Sequence, residues 1–289
     1  MTSSQRKTRR PLETLASVER AMTIIEMLAD AEKGLSISEI ARQLSVNKSI
    51  ALRILATLEQ LGYLFKHPHT QNYTATYKLS NFGLRILVTN RLMDQCHPIV
   101  RDLSEKSGEL VLLAVVEANE PRWVMAASGP TSGASGERRR LLIDPIAPIV
   151  YHSTATGKAW LSTLTDAKVL EVLGTELKPK TDFTVRSKRE LMEQIAEIRR
   201  TGLAMSIEEH EPGVGAIAAP VWVAGTGDRR LCVGIVSITA PLSRATKEVF
   251  EEFGRLLREA SRALGDSWPF PDSGGMLKAR PEQGMRLVG

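Results

Sequence analysis

Three short runs hold residue types capable of chemistry. The first is His152-Ser153-Thr154-Ala155-Thr156-Gly157-Lys158-Ala159. Gly157-Lys158 matches the end of a phosphate-binding loop. However, no glycine stands five residues before Gly157, and Ala159 occupies the place of the required Ser or Thr. The run reads as a helix start. Its free N–H groups and dipole favour a small anion such as a carboxylate, or it is simply capped and holds nothing. His152 beside Ser153 pairs a base with a nucleophile, but adjacent residues rarely reach that geometry and no G-x-S-x-G elbow is present. In the second run, Glu208, Glu209 and Glu211 read as a solvated turn ahead of Pro212-Gly213 rather than as paired acids. In the third, Cys96-His97 lacks further ligands nearby, and Cys96 and Cys232 show neither metal-type spacing nor a disulfide framework. No catalytic residue, metal or cofactor is expected from these runs, which point to binding.

A different chemistry is offered near the N-terminus. Asn47, Lys48, Ser49 and Arg53 are side chains that hydrogen-bond base edges and phosphates. The 289-residue chain carries a net charge of +5. Residues 1–80 hold 11 Lys and Arg against 7 Asp and Glu, so most of the surplus is there. Basic side chains displace counterions from phosphates. Charge alone also describes a solubilising surface with a basic tail at Arg6, Lys7, Arg9 and Arg10.

Helical spacing places the first of these residues. Val18, Ala21, Met22, Ile25 and Leu28 form one apolar stripe; Ile37, Ile40, Ala41 and Leu44 form a second, with Ser36 as its cap; Ala51, Ile54, Leu55, Leu58 and Leu61 form a third. The turn Ser45-Val46-Asn47 separates the last two, which makes a helix-turn-helix. Its second helix, from about Lys48, presents a polar leading end. After Gly62 the period falls to two. YLFK, the turn HPHTQN and the returning strand YTATYKL form a β-hairpin wing. Lys66, His67, His69 and Asn72 lie around its tip, within reach of a DNA backbone or minor groove. From Ser80 a further helical stripe (Leu79, Phe82, Ile86, Leu87, Leu92, Met93) reads as a linker helix, buried against another chain or against this chain's own second domain.

Residues 95–266 alternate helices with long strand-like runs, which suggests an α+β sandwich. A helix is expected from Pro98 to Lys106. Strands are expected at ELVLLAVVE, RWVMAAS, LAMSI, GAIAAPVWV and LCVGIVSIT, with LLIDPIAPIV as a short irregular strand after the Gly-, Ser- and Arg-rich GPTSGASGERRR. Further helices are expected at Thr156–Leu164, Asp166–Leu173 and Lys188–Arg200, and a last one carries Phe250, Phe253, Leu257 and Leu264. Hydrophobic residues make up 43% and charged residues 25%, the profile of a soluble globular chain. There is neither a signal-peptide pattern nor an apolar run of about 18 residues, so a cytoplasmic location without membrane association is expected.

Four stretches, in this order, carry a family resemblance: SVERAMTIIEML, IARQLSVNKSIALRILATLEQLGYL, HSTATGKAWL, and GLAMSIEEHEPGVGAIAAPVW with GIVSITAPLSR. Over about residues 15–266 the chain resembles the isocitrate-lyase-regulator (IclR) family of bacterial transcription regulators. The resemblance implies an α/β multi-domain protein. A basic tail (1–14) precedes a winged helix-turn-helix DNA-binding domain (15–80), a linker helix (81–94), a GAF-like α+β effector-binding domain (95–266) and a disordered tail (267–289). It also implies a homodimer or homotetramer that binds double-stranded operator DNA, more often as a repressor, under control of a small carboxylate or aromatic acid held without conversion. By the same resemblance the backbone amides of Ala155 and Thr156 hold the effector, with side-chain positions at Ser206, Ala216, Ser237 and Thr239. Ser206 stands where the family often has Asp, Ala216 where it often has Cys, and Ile50 where it often has Thr. Two rival readings are an enzyme using the C-terminal pocket and an interaction module that does not bind DNA.

Overall fold

Capping chemistry sets the first helices. The Ser36 hydroxyl accepts the N–H of Glu39 while the Glu39 carboxylate accepts that of Ser36, which starts α2 (Ile37–Gln43). Ser45, left-handed at φ 54°, turns the chain out of α2. Asn47 then caps α3 (Lys48–Gln60) by accepting the Ile50 N–H at 3.0 Å. With α1 (Ala16–Ala29), these helices meet in a core of Ile24, Leu28, Ile40, Leu55, Leu64 and Tyr73; Ile24 is buried outside the expected first stripe, whereas Val18 and Met22 of that stripe and Leu61 of the third are exposed. The wing strands β1 (Leu64–Lys66) and β2 (Tyr73–Ala75) pair antiparallel, and Leu35 bridges to Tyr73 as a single rung on the other edge of β2. Gly34 precedes that rung at φ 66°, where a Cβ would lie 2.4 Å from the Tyr73 carbonyl oxygen.

This computed structural model describes residues 14–89, 91–130, 148–225 and 230–269. They divide into two compact units between residues 89 and 90.

In the second unit five antiparallel strands run in the order β4-β3-β7-β6-β5. They are β3 (Leu110–Glu117), β4 (Glu120–Ser128), β5 (Ala204–Ile207), β6 (Val214–Ala224) and β7 (Arg230–Pro241). One face packs against α6 (Ala155–Leu161), α7 (Asp166–Val172) and α8 (Lys188–Thr201), with Trp160, Val169, Leu191 and Ile195 between them. The other face carries α5 (Leu92–Ser107) and α9 (Lys247–Asp266). This is the expected α+β architecture, helices on both faces of an antiparallel sheet.

Four boundaries differ from the sequence reading. The returning strand stops at Ala75, because Tyr77, Lys78 and Leu79 form the first turn of α4 (Tyr77–Thr89). There Lys78 Nζ caps α3 by donating to the Leu61 carbonyl at 2.7 Å. The linker is not one helix through Met93: Arg91 is left-handed at φ 57° and α5 starts afresh at Leu92, whose side chain is buried. Pro98, expected to open that helix, lies inside it, so the Asp94 carbonyl loses its usual helical donor. The tail does not begin at 267, because Trp268 is only 6% exposed and packs over Gly234. The expected irregular strand shows no strand at its described end, Pro148–Val150. Residues 131–147, the rest of the C-terminal tail, and most of the N-terminal one lie outside the described residues.

Candidate functional site

In the N-terminal unit, Asn47, Lys48, Ser49 and Arg53 lie together, all exposed, along the leading half of α3. Asn47 Oδ1 is already engaged, accepting both the Ile50 N–H and the Ser49 hydroxyl, the latter at 2.7 Å. Its amide nitrogen remains available to an outside acceptor. Leu52 stands exposed on the same face. In the wing, Lys66 Nζ sits 5.6 Å from the Tyr73 ring centroid. His67 Nε2 is 3.2 Å from Thr74 Oγ1, and its ring meets Phe65 edge-on. Both residues are half-buried, whereas His69 is exposed at the tip.

In the C-terminal unit, Ala155, Thr156, Ser206, Ala216, Ser237 and Thr239 line one cavity of about 210 Å³. Strand register explains the grouping. Ser206 on β5 is opposite Ala216 on β6, which is opposite Thr239 on β7. Ser237, two residues along β7, is opposite Leu112 on β3. All therefore project from one sheet face toward the start of α6. Thr154 caps that start by accepting the Gly157 N–H at 3.0 Å, which leaves the Ala155 and Thr156 N–H groups as orphans of the first turn. Gly157 is required because a Cβ there would lie 2.4 Å from Tyr151 Cα. Trp123, Pro148, Ile149 and His210 complete much of the wall. Sequence reasoning missed them. The period-two pattern of β3 could have placed Leu112 on this face, but no local signal brings β4 and the β5–β6 turn to it.

The hydroxyls and imidazoles are arranged for binding. Ser206 Oγ donates to the Ser153 carbonyl at 2.7 Å, while Ser237 Oγ is buried without a partner among the described residues. His152 Nε2 lies 2.9 Å from the Lys178 carbonyl oxygen and does not engage Ser153. Ser153 Oγ instead lies 3.0 Å from His210 Nδ1. That Ser–His pair has no open nucleophile, since Ser153 is fully buried and does not line the cavity. Burial pushes the Cys96 thiol up to about 11 and the Cys232 thiol up to about 12, so neither supplies a thiolate at neutral pH. Among the described residues no cluster of His, Cys, Asp and Glu could hold a metal ion, and no helix is long and apolar enough to cross a membrane.

Behind the cavity, Lys158 of α6 is 1% exposed and donates to Glu209 Oε1 at 2.5 Å and Gln194 Oε1 at 2.9 Å. Burial pushes the Lys158 amine down and the Glu209 carboxyl up, each opposed by the partner's charge. The turn expected to be solvated thus contributes a largely buried ion pair.

A winged helix with an exposed polar face on its second helix-turn-helix helix, followed by an α+β domain with a small, largely apolar cavity that holds a few hydroxyls, is the architecture of a DNA-binding transcription regulator. The family models agree: "IclR helix-turn-helix domain" matches residues 17–68 and "Bacterial transcriptional regulator IclR C-terminal" matches 85–266. The chain belongs to the IclR family of bacterial transcriptional regulators. It is 31% identical over 253 residues to the glycerol operon regulatory protein of Streptomyces coelicolor, covering 86% of this chain and 95% of the relative. It is 26% identical over 259 residues to the transcriptional repressor IclR of Escherichia coli, covering 86% and 88%. In fold it is similar to an IclR homolog from Microbacterium hydrocarbonoxydans crystallised with 4-hydroxybenzoate, at a TM-score of 0.68 and 21% identity over 87% of this chain and 98% of that one.

Proposed function

We propose that this regulator is a cytoplasmic repressor that binds its operator as at least a homodimer and is released by a small carboxylate or aromatic acid. Asn47, Lys48, Ser49 and Arg53 read the major groove, with Leu52 available to a thymine methyl. Lys66, His67 and His69 meet the backbone beside it. The effector lies over Ala216 among Ser206, Ser237 and Thr239, with its carboxylate on the Ala155 and Thr156 amides. Its binding favours one arrangement of the paired chains and so alters the spacing of the two half-sites. Self-association is supported by α4, which has no buried residue and exposes Tyr77 (88%), Phe82 (57%), Ile86 and Val88.

The observation that carries the DNA-reading assignment is the exposed Arg53 guanidinium, which has no partner among the described residues, on the outward face of α3. Arg53→Ala should lower operator affinity by about 1–3 kcal/mol while leaving the melting temperature and effector binding unchanged. Wild-type operator affinity in that variant would remove Arg53 from the reading set. An enzymatic role for the cavity predicts turnover of bound acids. His210 and Glu211 do reach the wall, but the hydroxyl beside His210 is the fully buried Ser153, so they face no open nucleophile, and the binding reading is the better supported.

A further inference from the structure

Taking the cavity of the C-terminal unit as the effector site, we infer that the effector is a polyhydroxylated acid, of the chemical class of sugar acids, rather than an alkyl or singly hydroxylated aromatic acid. The inference rests on that reading of the cavity and on the hydrogen-bond state of its walls. Ser206 spends its only hydrogen on the Ser153 carbonyl, so it faces the cavity with lone pairs. Its ligand partner must therefore be a donor. Carboxylates, carbonyls and C–H groups have no hydrogen to give, whereas an alcohol does. Ser237 is 1% exposed and its hydroxyl has no partner among the described residues, although buried hydroxyls are normally satisfied. A ligand hydroxyl is the group that would satisfy it whichever way its hydrogen points. Thr239 adds a third hydroxyl to the walls.

The spacing matters as much as the types. Ser206 and Thr239 are separated by two inter-strand steps, about 10 Å between Cα atoms, and Ser237 and Thr239 by two residues along one strand, about 7 Å. These polar groups surround Ala216, whose small side chain leaves a floor for a carbon skeleton. A ligand bearing one hydroxyl meets one of them and leaves Ser237 unsatisfied. A short chain with hydroxyls on successive carbons meets all three. The volume of about 210 Å³ falls below the range of about 300–1,000 Å³ for drug-sized ligands, which keeps the skeleton short. Trp123 offers an indole to the C–H face that such a chain also presents.

The test is calorimetric titration of the full chain with D-gluconate, D-galactonate and L-threonate, set against hexanoate and 4-hydroxybenzoate. At least one of the three aldonates should bind at least about tenfold tighter than either comparison acid, the effect of one well-placed hydrogen bond. Ser237→Ala should erase that preference without changing the affinity for hexanoate, and the substitution should not harm folding because it removes an unsatisfied group. Ala216→Leu, which fills the floor, should abolish binding of every probe. If no aldonate outbinds hexanoate and 4-hydroxybenzoate, or Ser237→Ala changes nothing while Ala216→Leu still abolishes binding, the hydroxyl inference falls and the cavity reading stands. Binding that survives Ala216→Leu overturns the cavity reading as well.

Discussion

Lys158 and Glu209 show how strongly a single pair can anchor the site. They join the helix that begins at the cavity to the turn that carries His210 into its wall. Removing one partner strands a buried charge, so Lys158→Met should lose about 3–5 kcal/mol of unfolding free energy. Adding Glu209→Leu should recover much of that loss, and urea denaturation of the two single variants and the double variant measures the coupling. His210 makes a second prediction at this scale. Its imidazole is held below the ordinary 6.5, first by partial burial and then by the nearby Lys180. The unfolded chain therefore takes up the proton first, and stability should fall as pH drops through about 6.5 and level off below the lower folded value. His210→Gln should flatten that segment of the melting-temperature profile, and an unchanged slope would assign it to other groups. At this scale the sequence was legible where chemistry is local. The run from His152 to Ala159 announced a helix start because caps act over three residues. Glu209 reads from sequence as a solvated turn residue because its partner, 51 positions away, is brought to it only by tertiary folding.

The elements were easier to read than their ends. Apolar spacing located α1, α2 and α3, and the strands of the C-terminal sheet fall within one or two residues of expectation, but the buried face of α1 differs: Ile24 is buried while Val18 and Met22 are exposed. The strand–helix boundary at Thr76 and the break at Arg91 were invisible. Tyr77–Leu79 alternates like a strand, and its helical state follows from Lys78 capping α3 rather than from propensity. Likewise, no residue type marks Arg91 as left-handed. The same element carries the next prediction. A helix with Phe82 and Ile86 exposed at i and i+4 retains an apolar stripe that the described residues of its own unit do not cover. The double substitution of Phe82→Glu and Ile86→Glu should therefore leave helicity intact and shift the species seen by sedimentation velocity toward the monomer. It should also weaken operator binding, since one half-site is lost. An unchanged sedimentation coefficient would place the self-association surface elsewhere.

For the whole molecule, the two units carry separable tasks, and the basic surplus sits mostly with the DNA-reading one. Regulation then amounts to a coupling free energy between a cavity and a groove-reading surface, and such a coupling is reciprocal. If the effector weakens operator affinity by a given factor, the operator must weaken effector affinity by the same factor, within the usual range of about 5–150-fold. The full chain can be used to select its own binding sequence from random duplexes. Operator affinity is then measured with and without saturating effector, and effector affinity with and without saturating duplex. Equal factors are the expected result. Ala216→Leu should reduce both factors to one while leaving operator affinity without effector unchanged, because the substitution removes differential binding and not the reading helix. A duplex affinity that still responds to the acid in that variant would show that the response arises outside the cavity, for instance from competition at the basic surface. That alternative is separable, because screening by added salt removes such competition and leaves a cavity-borne coupling in place.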